Sequence, residues 1–137
     1  MGATAYPYVD EWGERLEITF EVGYYETNGR LAVEAWCRSV DEDMGKGAWE
    51  PYDTVTVNLW EPIDGDDCAY LDMNNSPVLV RWMIEQGFVS LIPRTATSGF
   101  CEYPEGRFTT EFLRRCLRPG IYPPEEDHEE HRMSRKR

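Results

Sequence analysis

The chain's clearest pattern is a strict alternation in "RLEITFEVGYYETNGRLAVEAWCR". Leu16, Ile18, Phe20, Val22 and Tyr24 alternate with polar or small residues, which is the period of a half-buried strand. Asn28-Gly29 interrupts it and is the favoured pair for a two-residue hairpin turn, where both positions need positive φ. Such a turn sets Tyr24 opposite Val33, Val22 opposite Ala35 and Phe20 opposite Cys37. One face is then apolar throughout. The other carries Glu17, Thr19, Glu21, Glu34, Trp36 and Arg38.

Downstream, "YDTVTVNLW" reads as a third strand with Val55, Val57 and Leu59 on one face. "EPIDGDD" reads as a turn and "CAYLD" as a short fourth strand. A helix is predicted from about Pro77 to Gln86, with Ser76 as N-cap, Pro77 in the first helical position and Gly87 as the stop. Its apolar stripe is Leu79, Val80, Met83 and Ile84, with Trp82 at the margin. "FVSLIP" reads as a brief extended piece, and "RTATSGFCEYPEGRF" as loop with one more short strand. Thr109 or Thr110 is expected to cap a last helix, "EFLRRCL", near residues 110–117. Residues 1–13 look irregular. The expected fold is therefore α+β, a mainly antiparallel sheet with one central helix and a shorter C-terminal one. Residues 1–122 form one domain. "PPEEDHEEHRMSRKR", from Pro123 to Arg137, is nearly free of apolar residues and reads as a charged, mobile tail.

Length agrees with a single domain, since 137 residues can bury a core without staples. Charge changes the picture more. The formal net charge is −12, which argues against direct contact with nucleic acid or an anionic membrane. The excess is concentrated: Val40 to Asp72 holds ten carboxylates and one base, Lys46. Like charges gathered this way destabilise a chain unless a metal or a basic partner offsets them, or unless they serve only solubility. The start lacks the basic and apolar regions of a signal peptide, and no run approaches a membrane span, so a cytoplasmic place in a bacterial host cell is expected.

The chemistry of the residues narrows the function. Cys37, Cys68, Cys101 and Cys116 show no C-x-x-C pairing, so they read as buried free thiols and not as a zinc or redox motif. Both histidines, His128 and His131, lie in the tail, which leaves no imidazole in the body to activate a nucleophile. "DGDD" (Asp64 to Asp67) and "DED" (Asp41 to Asp43) do not match the twelve-residue calcium loop. No cofactor, metal or enzymatic activity is expected. Trp36, Trp49, Tyr52 and Trp60 read either as core packing or as an aromatic groove for a peptide, with Trp36 beside Arg38 the best exposed aromatic. Carboxylates two apart on a strand lie roughly 6.5–7 Å apart, similar to successive phosphates of one DNA strand.

Four stretches, "YYETNGRLAVEAW", "EPYDTVTVNL", "CAYLDMNNSP" and "SGFCEYPEGRF", resemble a family of small uncharacterised proteins encoded on conjugative elements and phages of gut bacteria. Its members carry only the description of a domain of unknown function. The resemblance covers most of residues 20–108. It supplies no catalytic residues and implies a context, namely mobile-element cargo near antirestriction genes, where small acidic DNA mimics such as anti-CRISPR proteins occur. With the charge pattern, it leads to an expected function: a non-enzymatic inhibitor of a nucleic-acid-targeting defence system. The partner would be a basic DNA-binding subunit of a CRISPR or restriction effector, met by a monomer. The expected phosphate surrogates are Asp41, Glu42, Asp43, Glu50, Glu61, Asp64, Asp66 and Asp67. Glu17, Glu21, Glu34 and Trp36 extend the face. Reversing Asp64, Asp66 and Asp67 to lysine is expected to abolish inhibition and spare the fold. The alternative is a mobile-element regulatory module with an aromatic peptide groove.

Overall fold

The structure is a computed structural model that describes residues 4–41 and 45–117. Glu42, Asp43 and the charged tail lie outside the described residues. The fold is α+β, with two antiparallel sheets and two helices. The first sheet contains β1 (Tyr6–Val9), β2 (Arg15–Tyr24), β3 (Leu31–Asp41), β4 (Gly45–Lys46) and β5 (Glu50–Thr54). Its order is β1-β2-β3-β4, and β5 also pairs with β3.

The β2–β3 hairpin forms as expected, but its register is two residues away. Tyr24 faces Leu31, Val22 faces Val33 and Phe20 faces Ala35. A shift of two keeps every side chain on its face, so Ile18, Phe20, Val22, Leu31, Val33 and Ala35 are all buried. The cause lies in the turn. Tyr25 N–H donates to Arg30 O at 2.8 Å, closing a four-residue loop over 26–29. Only Gly29 takes positive φ, at 73°. Asn28 instead uses its side chain, donating to Asn58 Oδ1 at 2.9 Å and accepting from Arg30 N–H at 3.2 Å.

The predicted strand "YDTVTVNLW" is split. β5 belongs to the first sheet, while β6 (Thr56–Val57) opens the second, and Val55 stands between them. Val55 N–H donates to Val33 O at 2.8 Å, and Val55 O accepts from Asp72 N–H at 2.9 Å. The second sheet then runs β6, β7 (Cys68–Leu71), β9 (Cys101–Phe108) and β8 (Val89–Ser98) in space. β8 and β9 form one long hairpin where the sequence reads as a short piece and a loop. It turns through Gly99-Phe100, with Ser98 opposite Cys101 and Gly99 at φ 64°. A glycine with positive φ in the first turn position suits a two-residue hairpin. β8 is the edge strand, and only Val89 and Ala96 along it are buried, so no alternation announces it. Pro93 and Arg94 form a bulge that interrupts the ladder between Ile92 and Thr95.

Helix α1 (Pro77–Glu85) carries Pro77 in its first turn. Ser76 holds the N-cap position, but its hydroxyl makes no capping bond. Asp72 does the neighbouring work, its Oδ1 accepting from Asn74 and Asn75 N–H at 3.2 and 3.0 Å. At the far end Gly87 has φ 80°, Phe88 N–H reaches Met83 O and Gly87 N–H reaches Ile84 O, both at 3.0 Å, which is a Schellman stop. Helix α2 (Thr110–Cys116) is capped by Thr109, whose hydroxyl accepts from Phe112 N–H at 3.1 Å.

One core gathers the inner faces of both sheets and the buried sides of both helices. Its centre is aromatic. Phe20 stacks on Trp82 at 6.3 Å and meets Phe112 edge-on at 5.4 Å, and Phe88 stacks on Phe112 at 5.0 Å. Trp82, expected at the margin, also touches Tyr6, Tyr8 and Phe88 edge-on. Such ring pairs contribute about 0.5–1.5 kcal/mol each beyond area burial.

Gly106 shows how tightly this core closes. A Cβ there would lie 2.7 Å from Leu71 Cδ1 and 2.8 Å from Val89 Cγ2. Gly106→Ala is therefore expected to destabilise the fold by about 1–3 kcal/mol in urea unfolding. Gly23→Ala, whose Cβ meets nothing within 4 Å, is expected to be neutral or slightly stabilising.

Candidate functional site

The acidic loop between Asn58 and Asp67 folds over the outer face of the second sheet. Three arginines hold it there. Arg30 Nη1 donates to Leu59 O and Glu61 O, both at 2.6 Å. Arg94, from the β8 bulge, donates to Pro62 O at 2.9 Å. Arg107 Nη2 meets Asp64 Oδ2 at 2.6 Å, and its Nε meets Asp67 Oδ1 at 3.3 Å. Beneath the loop lies Glu105, fully buried. Its Oε2 accepts from Asp64 N–H at 2.7 Å, and its Oε1 lies 3.4 Å from Arg94 Nε. Tyr70 donates to Pro62 O in the same layer. Cys68 is buried beside Asp67, and its thiol is pushed up to about 12, by burial first and then by Asp67.

This arrangement gives two carboxylates of "DGDD" a partner within the molecule: Asp64 and Asp67 both pair with Arg107 and remain about half exposed. Asp66 and Glu61 are exposed on the same loop. The lysine reversal at Asp64, Asp66 and Asp67 would set cations against Arg107, so it would not spare the local fold.

On the outer face of the first sheet, Glu17 is bracketed by Arg38 Nη2 at 2.8 Å and Lys46 Nζ at 3.1 Å. Its hydrogen bonds to Lys46 and Arg38 hold the Glu17 carboxyl below its ordinary range. Arg38 does not stack on Trp36. Its guanidinium lies 4.4 Å from the centre of the Trp49 ring. Glu21 and Glu34 are register partners across β2 and β3. Trp36 is half-buried, and its indole N–H is out of water with no acceptor among the described residues. It lines a recess of about 340 Å³ with Glu34, Ala35, Pro51, Tyr52, Asp53 and Thr54, where β5 bulges against β3. The four aromatics do not form one groove: Tyr52 packs edge-on to Tyr8 at 6.0 Å, and Trp60 is 70% exposed.

A denser acidic site lies at one end of this sheet. The turn from β1 to β2 supplies Asp10, Glu11 and Glu14, and β5 supplies Glu50 and Asp53. Acids of both groups act on Cys37 and Tyr52, and those of the turn alone on Tyr8. The Cys37 thiol is held above its ordinary range by burial and then by Glu50, Glu14 and Asp10. The Tyr52 hydroxyl is raised by burial, with Asp10, Asp53 and Glu11 adding to it. Tyr8 is raised by burial and Tyr52, with Asp10 and Glu11 contributing. The backbone of Asp41 ends β3 at this same end, since Leu16 pairs with Ser39. Of the expected surrogates, Glu50 joins this rim and Asp41 is placed at it by strand position.

Asp10 and Glu11 are absent from the sequence expectation because residues 1–13 read as irregular, and Glu14 because it precedes the alternating stretch that begins at Arg15. The signal was nonetheless present in "YPYVDEWGERLE". Asp10 Oδ1 accepts from Trp12 N–H at 2.9 Å and Glu14 N–H at 2.8 Å, and Gly13 takes φ 84°. An Asp followed by a Gly three residues later is turn chemistry.

Among the described residues, no three His, Cys, Asp or Glu side chains are placed to hold a metal ion, and no helix is long and apolar enough to cross a membrane. The chain belongs to a family described as a domain of unknown function (DUF4313), whose model matches residues 19–123. No curated protein and no solved structure matches it.

Two stability measurements check this geometry. Arg94→Ala would leave Glu105 buried without its cation. It is expected to destabilise by about 2 kcal/mol, below the 3–5 kcal/mol of a fully buried pair because Arg94 is 41% exposed. Arg107→Ala, whose ion pairs are half exposed, is expected to move the urea midpoint much less. Glu17 gives a pH dependence. Its carboxyl is lowered on folding, so its contribution is full above the ordinary value of 4.5 and is lost as pH falls through the folded value. Glu17→Gln should lower stability at pH 7, by on the order of 1 kcal/mol or less, and leave it unchanged at pH 2.

Proposed function

We propose that this DUF4313 protein is a non-enzymatic binding protein whose acidic rim meets a basic, nucleic-acid-recognising surface of a protein partner. The observation that carries the reading is geometric: the fixed turn bearing Asp10, Glu11 and Glu14 lies at the same end of the first sheet as Glu50, since Leu16 pairs with Ser39 and Glu50 pairs with Cys37, two residues before it. Of the nearby bases, Arg38 and Lys46 are already committed to Glu17, and Arg15, which opens β2 directly after Glu14, is one cation against five carboxylates. The rim therefore keeps its negative potential for an incoming cation, which steers association and excludes anionic competitors.

Glu17 and Glu21 of β2 do not make a phosphate-like array at alternate positions. Thr19 interrupts the carboxylates on that face and is buried, donating to Thr4 O at 2.8 Å. The charges of the rim come from a turn and a separate strand, and mimicry then consists of a compact negative patch. The finer reading is an inhibitor of bacterial defence of the anti-CRISPR type, occupying the DNA-binding surface of an effector subunit. It draws on the resemblance to mobile-element cargo and on this patch. The alternative, a regulatory module with an aromatic peptide groove, has less to stand on because its four aromatics are dispersed.

The test has a cellular arm and a binding arm. Plasmid or phage survival is scored in cells carrying a panel of CRISPR and restriction systems. Protection in one system is expected, and it should be lost in Glu11→Lys/Glu14→Lys/Glu50→Lys with the fold intact by thermal melting. Binding to the effector subunit should weaken about tenfold or more between 50 and 200 mM salt. Protection that survives the triple reversal, or protection in no system, would reject the proposal.

A further inference from the structure

We infer that a second recess, at the end of the first sheet beside the rim, takes an apolar side chain from a partner segment in which basic residues flank it. This rests on the reading of the rim as a surface for a basic protein, and it adds the group that anchors there.

The recess has a volume of about 340 Å³ and is lined chiefly by Pro7, Tyr8, Val9, Leu16, Val40 and Trp82. Its position follows from the register. Val9 pairs with Arg15 and Leu16 with Ser39, so Val9, Arg15 and Val40 stand in one row across β1, β2 and β3. Val9 is 55% exposed and Val40 37%, and Trp12, in the turn three residues beyond Val9, is 83% exposed. Half of the six large apolar side chains that the described residues expose therefore lie at one end of one sheet. A single exposed apolar residue means little, but several gathered around one cleft mark a contact surface.

Charge selects the occupant. The turn that leaves Val9 carries Asp10, Glu11 and Glu14, and Glu50 lies at the same end of the sheet. A second copy of this chain would bring its own acids against these, and an anionic ligand would meet the same field. A basic segment gains from it. The lining decides which part of that segment enters. Of its two charged residues, Glu17 is already bound to Arg38 and Lys46, and Arg15 is a cation that opposes the entry of another. The remaining walls are apolar or aromatic. The cations of the segment therefore stay on the rim, and an uncharged apolar side chain fills the cleft. A desolvated apolar anchor inside a charged surround is the arrangement in which a few residues carry most of a contact's energy.

The probe is N-acetyl-Lys-Leu-Lys amide. N-acetyl-Lys-Ala-Lys amide removes the anchor, and N-acetyl-Glu-Leu-Glu amide reverses the charge. Full-length ¹⁵N-labelled protein is titrated with each at low salt, and its five tryptophan indole N–H resonances are followed. Trp82→Phe assigns the signal of Trp82, and Trp60, outside the lining, is the internal control. The expected result is saturable movement of the Trp82 signal with the leucine probe, about fivefold weaker binding of the alanine probe, and no binding of the glutamate probe. Val9→Thr/Val40→Thr, which keeps the β-branched shape, should weaken the leucine probe by about threefold and leave the alanine probe nearly unchanged. An unmoved Trp82 signal, equal affinity for leucine and alanine, glutamate binding as tight as lysine binding, or an unchanged leucine preference in the double variant would overturn the assignment. The three probes are compared on the unaltered chain, so they decide the matter even if the variant misfolds. Protection in cells that is lost on rim reversal, with no leucine preference at Trp82, would reject the recess alone. A leucine-selective response at Trp82 with no protection in any system would reject the defence reading and leave the recess standing.

Discussion

The peptide groups of Val55 hold the architecture together. Its N–H belongs to the first sheet through Val33, and its carbonyl to the second through Asp72. The side chain between them is fully buried. A buried backbone group without a partner is costly, so the chain can satisfy both only by leaving one sheet as it enters the other. Thr56 reinforces the crossing by accepting from Val33 N–H at 3.1 Å. Two consequences follow. Upstream of Val55, β5 is committed to β3 and carries Glu50 and Asp53 to the end of the first sheet. Downstream, the chain leaves β6 over the outer face of the second sheet, where the acidic loop must find its partners.

Those partners account for three carboxylates, Asp64, Asp67 and Glu105. Arg30 and Arg94 hold the loop by its backbone carbonyls, and Arg107 holds it by Asp64 and Asp67. Glu105 lies under it, receiving the Asp64 N–H from one side and Arg94 from the other. A carboxylate removed from water persists as a charge only where hydrogen bonds and a cation replace its hydration. The acidic segment is therefore partly a structural device, and its density in the sequence overstates the charge it offers a partner. The rim at the end of the first sheet is less conspicuous in the sequence and more coherent in space.

The legible parts of the fold were those where one face is wet and the other dry. Ile18, Phe20 and Val22 alternate cleanly because β2 is covered on one side, and the parity of the pattern survived a register error of two residues. Pro77 and Gly87 bracketed α1 correctly because proline and glycine act through local backbone geometry. Only the first half of β8 was legible, as the extended piece "FVSLIP", since its edge position exposes Leu91, Thr95 and Thr97 alike and removes the alternation. Nor was the split at Val55, because "TVTV" has the same pattern whether it stays in one sheet or changes sheets. For the site, composition located acids but not their internal cations. Arg107 lies forty-three residues from Asp64 along the chain, and only the pairing of β7 with β9 brings them together. The rim was legible in part: Asp41 and Glu50 stand among the expected surrogates, while Asp10, Glu11 and Glu14 belong to a turn that only its pairing geometry places beside them.

The placement of the rim also bears on how it can act. Asp10 spends one carboxylate oxygen on the backbone of Trp12 and Glu14, so the turn that carries Glu11 and Glu14 is fixed before any partner arrives. β5 is fixed by its pairing with β3 and by Tyr52 against Tyr8. Charges mounted on elements already ordered lose little conformational freedom on association, and this matters more for affinity than the number of charges. The repulsion among them is a standing cost of the free protein, borne by a core whose aromatic rings tie β1, β2, α1 and α2 together. A basic partner relieves that repulsion, and the relief is available only where the molecule has not already supplied its own arginine. By that criterion the centre of the Asn58–Asp67 loop, where Arg107 meets Asp64 and Asp67, is a poorer candidate for the proposed contact than the rim.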